Sequence, residues 1–508
     1  MDDHQLPNSP EAYWRDSVEL PSFPQLKETI SVDIGIAGAG ITGITAAYLL
    51  SRQNLKVAVL DADEILNGTT GHTTAKITAQ HGLIYDELIQ HFGKDIAGKY
   101  YHAAEEAKKL IKENIDRHQI ECDFQKQDAY IYTNDNSYIT KLEKEKEAYD
   151  KLGIPGELTE QVPLDIPVKS ALIMKEQAQF HPLKYLKALT ELCIEQGVQF
   201  YEHTTATDVE YNHKPAILTK DGHRVTCRNI IAATHFPFQD KRGLYFARMY
   251  PERSYVVGIK SHQKYPGGMY INAESPTRSI RSAAINGENM WLISGENHKT
   301  GQGKPTEEHY NALKAFAERN FDVKEVVYRW SAQDLTTLDK IPYVGSLEKD
   351  QEHIFVATGY RKWGMTNGTI AAKILADKIL KEENPFAEVY QPSRFKGHPG
   401  IREFASINMD VAKNMVKGKL EKAERKIDEL AADDAAVVRI NGQRAGAYKD
   451  QEDNLHVVDT TCTHMGCEVE WNSGDRTWDC PCHGSRFSYN GDIIEGPAQK
   501  PLKKIDYQ

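Results

Sequence analysis

What this chain has little of narrows its role before any motif is read. No stretch of its 508 residues approaches the ~18–20 consecutive apolar residues of a membrane-spanning helix, so no integral membrane segment is expected. Basic clusters are missing and the net charge is −11, so neither nucleic acid nor an anionic membrane surface is an expected partner. Internal repeats and low-complexity tracts are absent too. The opening residues, MDDHQLPNSPEAYWRD, are acidic and polar, the reverse of a secretory signal, and the expected location is the cytoplasm. Cysteine is scarce. Of seven, only Cys122, Cys193 and Cys227 lie outside the last fifty residues, and they read as buried or idle thiols rather than a disulfide framework. With 40% hydrophobic and 27% charged residues the composition is that of a soluble globular protein, long enough for two or three domains.

Against that scarcity, the stretch from Cys462 to Ser485, CTHMGCEVEWNSGDRTWDCPCHGS, gathers four cysteines and two histidines into 24 residues. Two pairs stand out: Cys462-x-His464, then fifteen residues, then Cys480-x-x-His483. Cys2His2 with such spacings describes a structural zinc site as well as a [2Fe–2S] cluster held by two thiolates on one iron and two imidazoles on the other. A zinc reading leaves Cys467, Cys482 and the residues after His483 without a purpose. The stretch resembles the Rieske family through CTHxGC, CPCHGS and the later Gly496-Pro497-Ala498, over roughly the last 75 residues. That resemblance implies Cys462, His464, Cys480 and His483 as metal ligands and a Cys467–Cys482 disulfide clamping the two loops. It also implies Ser485 as a hydrogen-bond donor to the cluster. High-potential members of the family carry a tyrosine where this chain has Phe487, which implies a lower potential here. A mononuclear iron site of the kind used by Rieske-type oxygenases would need two histidines and a carboxylate, and no compact set stands upstream.

The other end carries a different signal. In SVDIGIAGAGITGITAAYLLSRQNLKVAVLDAD, residues 31 to 63, a buried strand over Val32–Ala37 leads into Gly38-Ala39-Gly40-Ile41-Thr42-Gly43, then a helix over Ile44–Arg52 and a second strand over Val57–Leu60. Gly38 permits the tight turn, Gly40 lets the backbone approach a pyrophosphate, and Gly43 lets the helix pack on the strand. Asp61 follows Gly38 by 23 residues, about where an acid takes the adenosine ribose hydroxyl. This geometry does not separate NAD from FAD. The loop Gly68-Thr69-Thr70-Gly71-His72-Thr73-Thr74-Ala75-Lys76 resembles the small-residue loop over the flavin in the glycine oxidase and D-amino acid oxidase family. There Thr73 and Thr74 would suit close backbone approach to the ring, and Lys76 is a candidate at the flavin edge. A second glycine-rich strand-to-helix element, IFVATGYRKWGMTNGTIAAKILADKIL with Gly359, Gly364 and Gly368, could donate backbone N–H groups to the flavin N1–C2 edge. It lies more than 300 residues after the first and selects FAD. The segment before it, with Asp339, Pro342 and Gly345, resembles the same family.

Between these elements the pattern is helical from Tyr85 to Gln119, becomes strands over Ile120–Thr133, and opens a helix at His181-Pro182. Residues from about 245 to 330 alternate with period two and predict an antiparallel sheet. In the amine-oxidising relatives an arginine on this sheet takes the substrate carboxylate, and Arg281 aligns with it, although Ser282 replaces the usual following proline. Residues 384 to 400 read as a linker, Ile401–Leu430 as a helix anchored on the flavoprotein, and Val437 onward as strands with a turn at Asn441-Gly442.

The expected architecture is therefore an α/β Rossmann-like FAD-binding fold with an antiparallel-sheet substrate domain, plus a small all-β Rieske domain. Residues 1–390 form the oxidoreductase, with FAD-binding parts about 31–90, 180–240 and 330–383 and substrate parts about 91–179 and 241–329; 391–430 are linker and helix, and 431–508 the Rieske domain. The expected cofactors are FAD and a Rieske-type [2Fe–2S] cluster, and the expected partners a small-molecule amine or amino acid and a one-electron redox protein or molecule. The expected function is oxidation of a C–N bond with export of electrons through the cluster. Reduction of a substrate by electrons entering at the cluster, or electron transfer and redox sensing without turnover, are the alternatives.

Overall fold

The computed structural model describes residues 5–211, 214–240, 243–285, 287–349, 351–394, 400–420, 425–440 and 442–507. Its organising layer is a six-stranded sheet. Ile34–Ala37 pairs in parallel with Val57–Leu60 on one side and Asn229–Ala232 on the other; Gln199–Tyr201, Ile354–Thr358 and Tyr343–Ser346 complete it, the last antiparallel. Three of its four inner strands, IGIA, VAVL and IFVAT, are buried end to end, and the fourth, NIIA, is buried after Asn229, as strands covered on both faces must be. The helix after the glycine turn spans Ile41–Ser51, three residues earlier than its apolar run suggests, because the last residues of the turn already form its first coil. Helices Pro182–Glu195 and Gly364–Leu380 pack against it. Thus three sequence segments, separated by more than a hundred residues each, assemble one dinucleotide layer.

The second layer is a nine-stranded mixed sheet. Its long strands, Met249–Ser261, Arg278–Ile285, Glu288–Lys299 and Val323–Thr337, are antiparallel neighbours, in agreement with the period-two pattern. Gln125–Thr133 joins it in parallel with Met269–Asn272. Helices Tyr85–His118, Asn136–Leu152 and Glu307–Asn320 flank these layers, and the last two add to the elements expected from the sequence. Glu307–Asn320 interrupts the expected run of strands with an amphipathic helix whose His309, Tyr310, Leu313 and Ala317 are buried.

The C-terminal region is all β: a three-stranded sheet from Asp434–Ile440, Gln443–Lys449 and Leu455–Asp459, and a four-stranded one from Glu470–Asn472, Thr477–Asp479, Arg486–Ser488 and Ile493–Glu495. Asn441 of the expected turn, and residues 395–399 and 421–424 of the expected linker and helix, lie outside the described residues. The connecting helix is Gly400–Leu420, and its apolar stripe does not anchor on the flavoprotein alone. Val411 and Met415 pack against the core that holds the four terminal cysteines, Asn408 donates to the Ala247 carbonyl at 3.1 Å, and Phe404 is 38% exposed. Among the described residues no helix is long and apolar enough to cross a membrane.

The polar leader is also more than a leader. Trp14 is 1% exposed and its Nε1 donates to the Thr73 carbonyl at 2.6 Å, while Leu26 N donates to Thr204 Oγ1. The segment is a strap over the loop that follows the second strand.

Candidate functional site

The dinucleotide turn has the shape its glycines require. A Cβ on Gly38 (φ 101°) would lie 2.3 Å from the Ala233 carbonyl oxygen, and one on Gly43 would lie 1.9 Å from that of Gly38, so neither position admits a side chain. Gly40 caps the helix Ile41–Ser51 without a side-chain hydrogen bond, and so does Trp363 at the start of Gly364–Leu380. Ile41 N already donates to Thr70 Oγ1 at 3.1 Å, and the remaining first-turn N–H groups of the two helices suit a pyrophosphate at one and a flavin carbonyl at the other. They lie side by side: Gly368 abuts Ile41 and Thr42, and Thr42 Oγ1 and Tyr360 OH are 2.7 Å apart. Gly359 (φ 78°) turns the chain between strand and helix where a Cβ would meet Thr337 at 2.4 Å. Asp61 accepts from Ala39 N at 2.7 Å and Asp63 N at 3.1 Å, holding the glycine turn, and burial raises its carboxyl to about 6. The donor set fits FAD.

The loop over the expected flavin face is held from outside. Thr73 and Thr74 present their carbonyls to Trp14 Nε1 and to Arg281, and Lys76 Nζ donates to the Tyr270 carbonyl and to Ser279 Oγ. Burial, with the nearby Arg281 charge, lowers the Lys76 ammonium to about 7. Arg281 does not stand as expected. It is 2% exposed, and Nε donates to Ser282 O, Nη1 to Thr74 O and Ala75 O, and Nη2 to Phe180 O. A guanidinium has five donors, so little is left for a substrate carboxylate. The cavity beside it, lined by Trp14, Gln179 and His181, has a volume of about 10 Å³, the space of one water. The strand register turns Arg281 toward the loop, where it works as a clamp.

Residues missed by sequence reasoning lie near the second glycine loop. Glu252 and Asp334 are directly opposed on antiparallel strands, an arrangement that like charges disfavour. Lys362, from Tyr360-Arg361-Lys362-Trp363, supplies the opposite charge. Burial raises Asp334 to about 7 and lowers Lys362. The basic pair inside the glycine loop was the available signal.

At the far end, the two cluster loops converge. Cys462, Cys480 and His483 are buried, and the rings of His464 and His483 lie 4.9 Å apart and nearly perpendicular. Both Nδ1 atoms are buried with no hydrogen-bond partner, as metal-ligating nitrogens would be. Cys462 and Cys480 thiols face each other, and the bond from Cys480 holds Cys462 below its ordinary range. Cys467 and Cys482 form a disulfide, 15 residues apart in sequence. Cys480 Sγ lies within 4.8 Å of those sulfurs, which are committed to each other and leave the two thiols and two imidazoles for the irons. Ser485 Oγ accepts from Ala498 N at 3.0 Å, and Phe487 is buried in the cluster-domain core. The residues fit a [2Fe–2S] cluster.

The histidines do not face solvent alone. The Phe246 ring lies 5.6 Å from His483 and 6.5 Å from His464, and Phe236 lies 6.2 Å from His464. Gln333 Nε2 donates to the Gly484 carbonyl at 2.9 Å, Gln302 Nε2 to the Pro481 carbonyl, and Gln499 Nε2 to the Thr207 and Phe238 carbonyls. Arg253, fully buried, lies 3.5 Å from Asp479 and 3.7 Å from Glu495. Tyr310 and Ser331 donate to Asp475, whose carboxyl is held far below the usual range against its burial by Arg486 and Arg253.

These features define a flavin-dependent oxidoreductase joined to a Rieske iron–sulfur domain, and the chain belongs to that class. Residues 33–378 match the DAO family of FAD dependent oxidoreductases and residues 422–506 the Rieske [2Fe-2S] domain. The chain is 49% identical over 503 residues, 99% of each chain, to a Bacillus subtilis protein described as a Rieske 2Fe-2S iron-sulfur protein, YhfW. It is 24% identical over 378 residues, 72% of this chain and 87% of the other, to the gamma-glutamylputrescine oxidoreductase of Escherichia coli. Among solved structures, glycine oxidase from Geobacillus kaustophilus shares the fold with a TM-score of 0.61 at 17% identity, covering 73% of this chain and all of that one. FAD and a Rieske-type cluster are the cofactors of the present chain.

Proposed function

We propose that the enzyme oxidises a C–N bond of an amine or amino acid and passes the electrons singly through the cluster to an external one-electron acceptor. When bound, FAD supplies a two-electron hydride acceptor and the cluster a one-electron store. The observation that carries this reading is the docking of the cluster histidines on Phe236 and Phe246, which follow the strand Asn229–Ala232 of the dinucleotide sheet. A cluster kept for an unrelated purpose would not need that seat. The relatives named for glycine and for gamma-glutamylputrescine support an amine as the substrate class.

In this reading Gly38, Gly40, Gly43 and Asp61 hold the dinucleotide, and Thr73 and Thr74 line one side of the flavin. Gly359, Gly364 and Gly368 give the second helix its close approach. Cys462, His464, Cys480 and His483 hold the irons. The groups placed to bind or exchange a proton with an amine are Asp334, Glu252 and Lys362 beside the glycine loop, with Lys76 on the opposite loop, and Arg281 fixes that loop instead of touching substrate. Anaerobic mixing of the oxidised holoenzyme with a panel of amines and amino acids tests the proposal. Bleaching of the flavin band followed by a Rieske-type paramagnetic signal is expected. A panel that leaves the flavin oxidised, while a reduced ferredoxin-like donor fills both centres, would reverse the direction of flow and refute it.

A further inference from the structure

The loop after Asn229–Ala232 touches both cofactor sites with consecutive residues. Its first part lies against the dinucleotide turn, because the Ala233 carbonyl fills the space a Cβ on Gly38 would need. The His235 carbonyl accepts from Thr358 Oγ1, the residue before Gly359 and the second glycine loop. His235 is held at φ 62°, a conformation costly for a residue with a side chain, and its buried Nε2 has no partner. The next residue, Phe236, is buried and packs its ring on the cluster ligand candidate His464, and Phe246 spans both histidines. A parallel connection runs through Gln333. Its carbonyl accepts from Thr69 Oγ1 of the flavin loop at 3.2 Å, its Oε1 accepts from Thr300 at 2.8 Å, and its Nε2 donates to Gly484 O, one residue after His483.

We propose that His235 and Phe236, completed by Phe246, are the internal bridge for single electrons between the flavin site and the cluster, and that Gln333 keeps the two loops in register. The proposal rests on the flavin-to-cluster reading above. Each passage removes one electron from the reduced flavin and converts one ferric iron of the cluster to ferrous. A one-electron acceptor reoxidises the cluster between the two passages, and the protons of the reduced flavin go to water. The strained backbone at His235 has a use in this arrangement: it turns Phe236 away from the dinucleotide layer and onto His464.

The test needs no substrate. In the full-length holoprotein the flavin is reduced anaerobically by a light flash with a deazaflavin donor, and cluster reduction is followed optically. Phe236→Leu, Phe246→Leu and Gln333→Leu are compared with the wild type and with Phe236→Tyr, which keeps the ring. The cluster's paramagnetic g-values and the flavin spectrum check that both sites remain loaded, and the cluster potential is measured in each. Transfer is expected to slow about tenfold in the leucine variants at unchanged potential, equivalent to ~1.4 kcal/mol of barrier, and to be retained in Phe236→Tyr. Leucine variants that transfer at the wild-type rate overturn the bridge while leaving the functional reading intact. A wild-type cluster that takes no electron after the flash overturns both.

Discussion

The seat between the two domains makes its sharpest prediction at Gly484. This residue follows His483 and has φ 77°, and a Cβ there would stand 2.6 Å from Pro251 Cβ, 2.7 Å from Gln333 Oε1 and 2.9 Å from its Nε2. Gly484→Ala therefore carries two costs. The left-handed backbone alone costs an alanine about 1–2 kcal/mol. Overlap with Pro251, whose ring cannot swing aside, adds about 1–3 kcal/mol if the neighbours shift, and Gln333 loses its bond to the Gly484 carbonyl in doing so. Gly442→Ala is the control, because Gly442 has φ 81° in the same domain and a Cβ there would meet no atom within 4 Å, so it carries only the first cost. The assay is thermal loss of the cluster's visible circular dichroism, with limited proteolysis around residue 400 reporting undocking. Gly484→Ala should lose its cluster several degrees below Gly442→Ala and be cut faster. Equal midpoints and equal cutting would refute the close seat, since the two variants differ only in what surrounds the new methyl group.

Three further expectations concern the flavin half. Arg281→Met leaves the carbonyls of Thr74, Ala75 and Phe180 without donors, at about 1–3 kcal/mol for each unsatisfied group, so holoprotein stability and flavin retention should fall even without substrate; a variant with unchanged stability and a raised KM would return Arg281 to substrate binding. Asp61→Ala removes the charged acceptor of Ala39 N–H and should weaken FAD binding by roughly tenfold to a hundredfold, read as fluorescence of released flavin, from ~1.5–3 kcal/mol for such a bond. Asp334 is held protonated to about 7 by burial, against ~3.9 unfolded, so its contribution to stability is present below pH ~4 and is lost as pH rises through about 7. Asp334→Asn should flatten that decline in melting temperature, and parallel profiles would show that Asp334 does not titrate as its burial demands.

The elements legible in the sequence were those whose physics is local. The strand–glycine–helix run from Ile34 to Ser51 is written in consecutive residues, as is the His181-Pro182 helix start, where the His181 side chain accepts from Lys184 N. The Cys/His spacing that brings four candidate ligands together needs only two short loops. What stayed hidden depends on pairs far apart in the chain. Gly484 reads as part of the Rieske-like CPCHGS stretch, and nothing near it announces Pro251 or Gln333. Trp14 sits in an acidic, polar leader and reveals its burial only through Thr73 and His181. Arg281 shows the general limit: its strand was predictable, but which partners its side chain meets was decided by the loop of residues 74–75 folding over it.

The chemistry of the seat bears on where electrons leave. Arg253 and Arg486 are buried among Asp475, Asp479 and Glu495; Arg253 Nη1 donates to Ser331 Oγ, Arg486 Nε to Thr477 Oγ1 and Tyr310 OH to Asp475, while Arg253 Nε and Nη2 meet their carboxylates as ion pairs without a hydrogen bond. Removing one member of such a group strands a buried charge at a cost of ~3–5 kcal/mol, and separating the domains would strip Arg253 from both of its carboxylates. The two halves also meet closely at Gly301, where an added Cβ would stand 2.8 Å from Pro481 N, so that contact has no room for a side chain. A domain held this way does not leave its seat in each turnover without rehydrating those charges. The imidazole rings, which in an undocked cluster domain would be the natural contact for a redox partner, have Phe236 and Phe246 packed against them edge to face. An external acceptor in the proposed function therefore meets the protein on another side of the cluster loops, and changes at those two rings should alter the filling of the cluster before they alter its discharge.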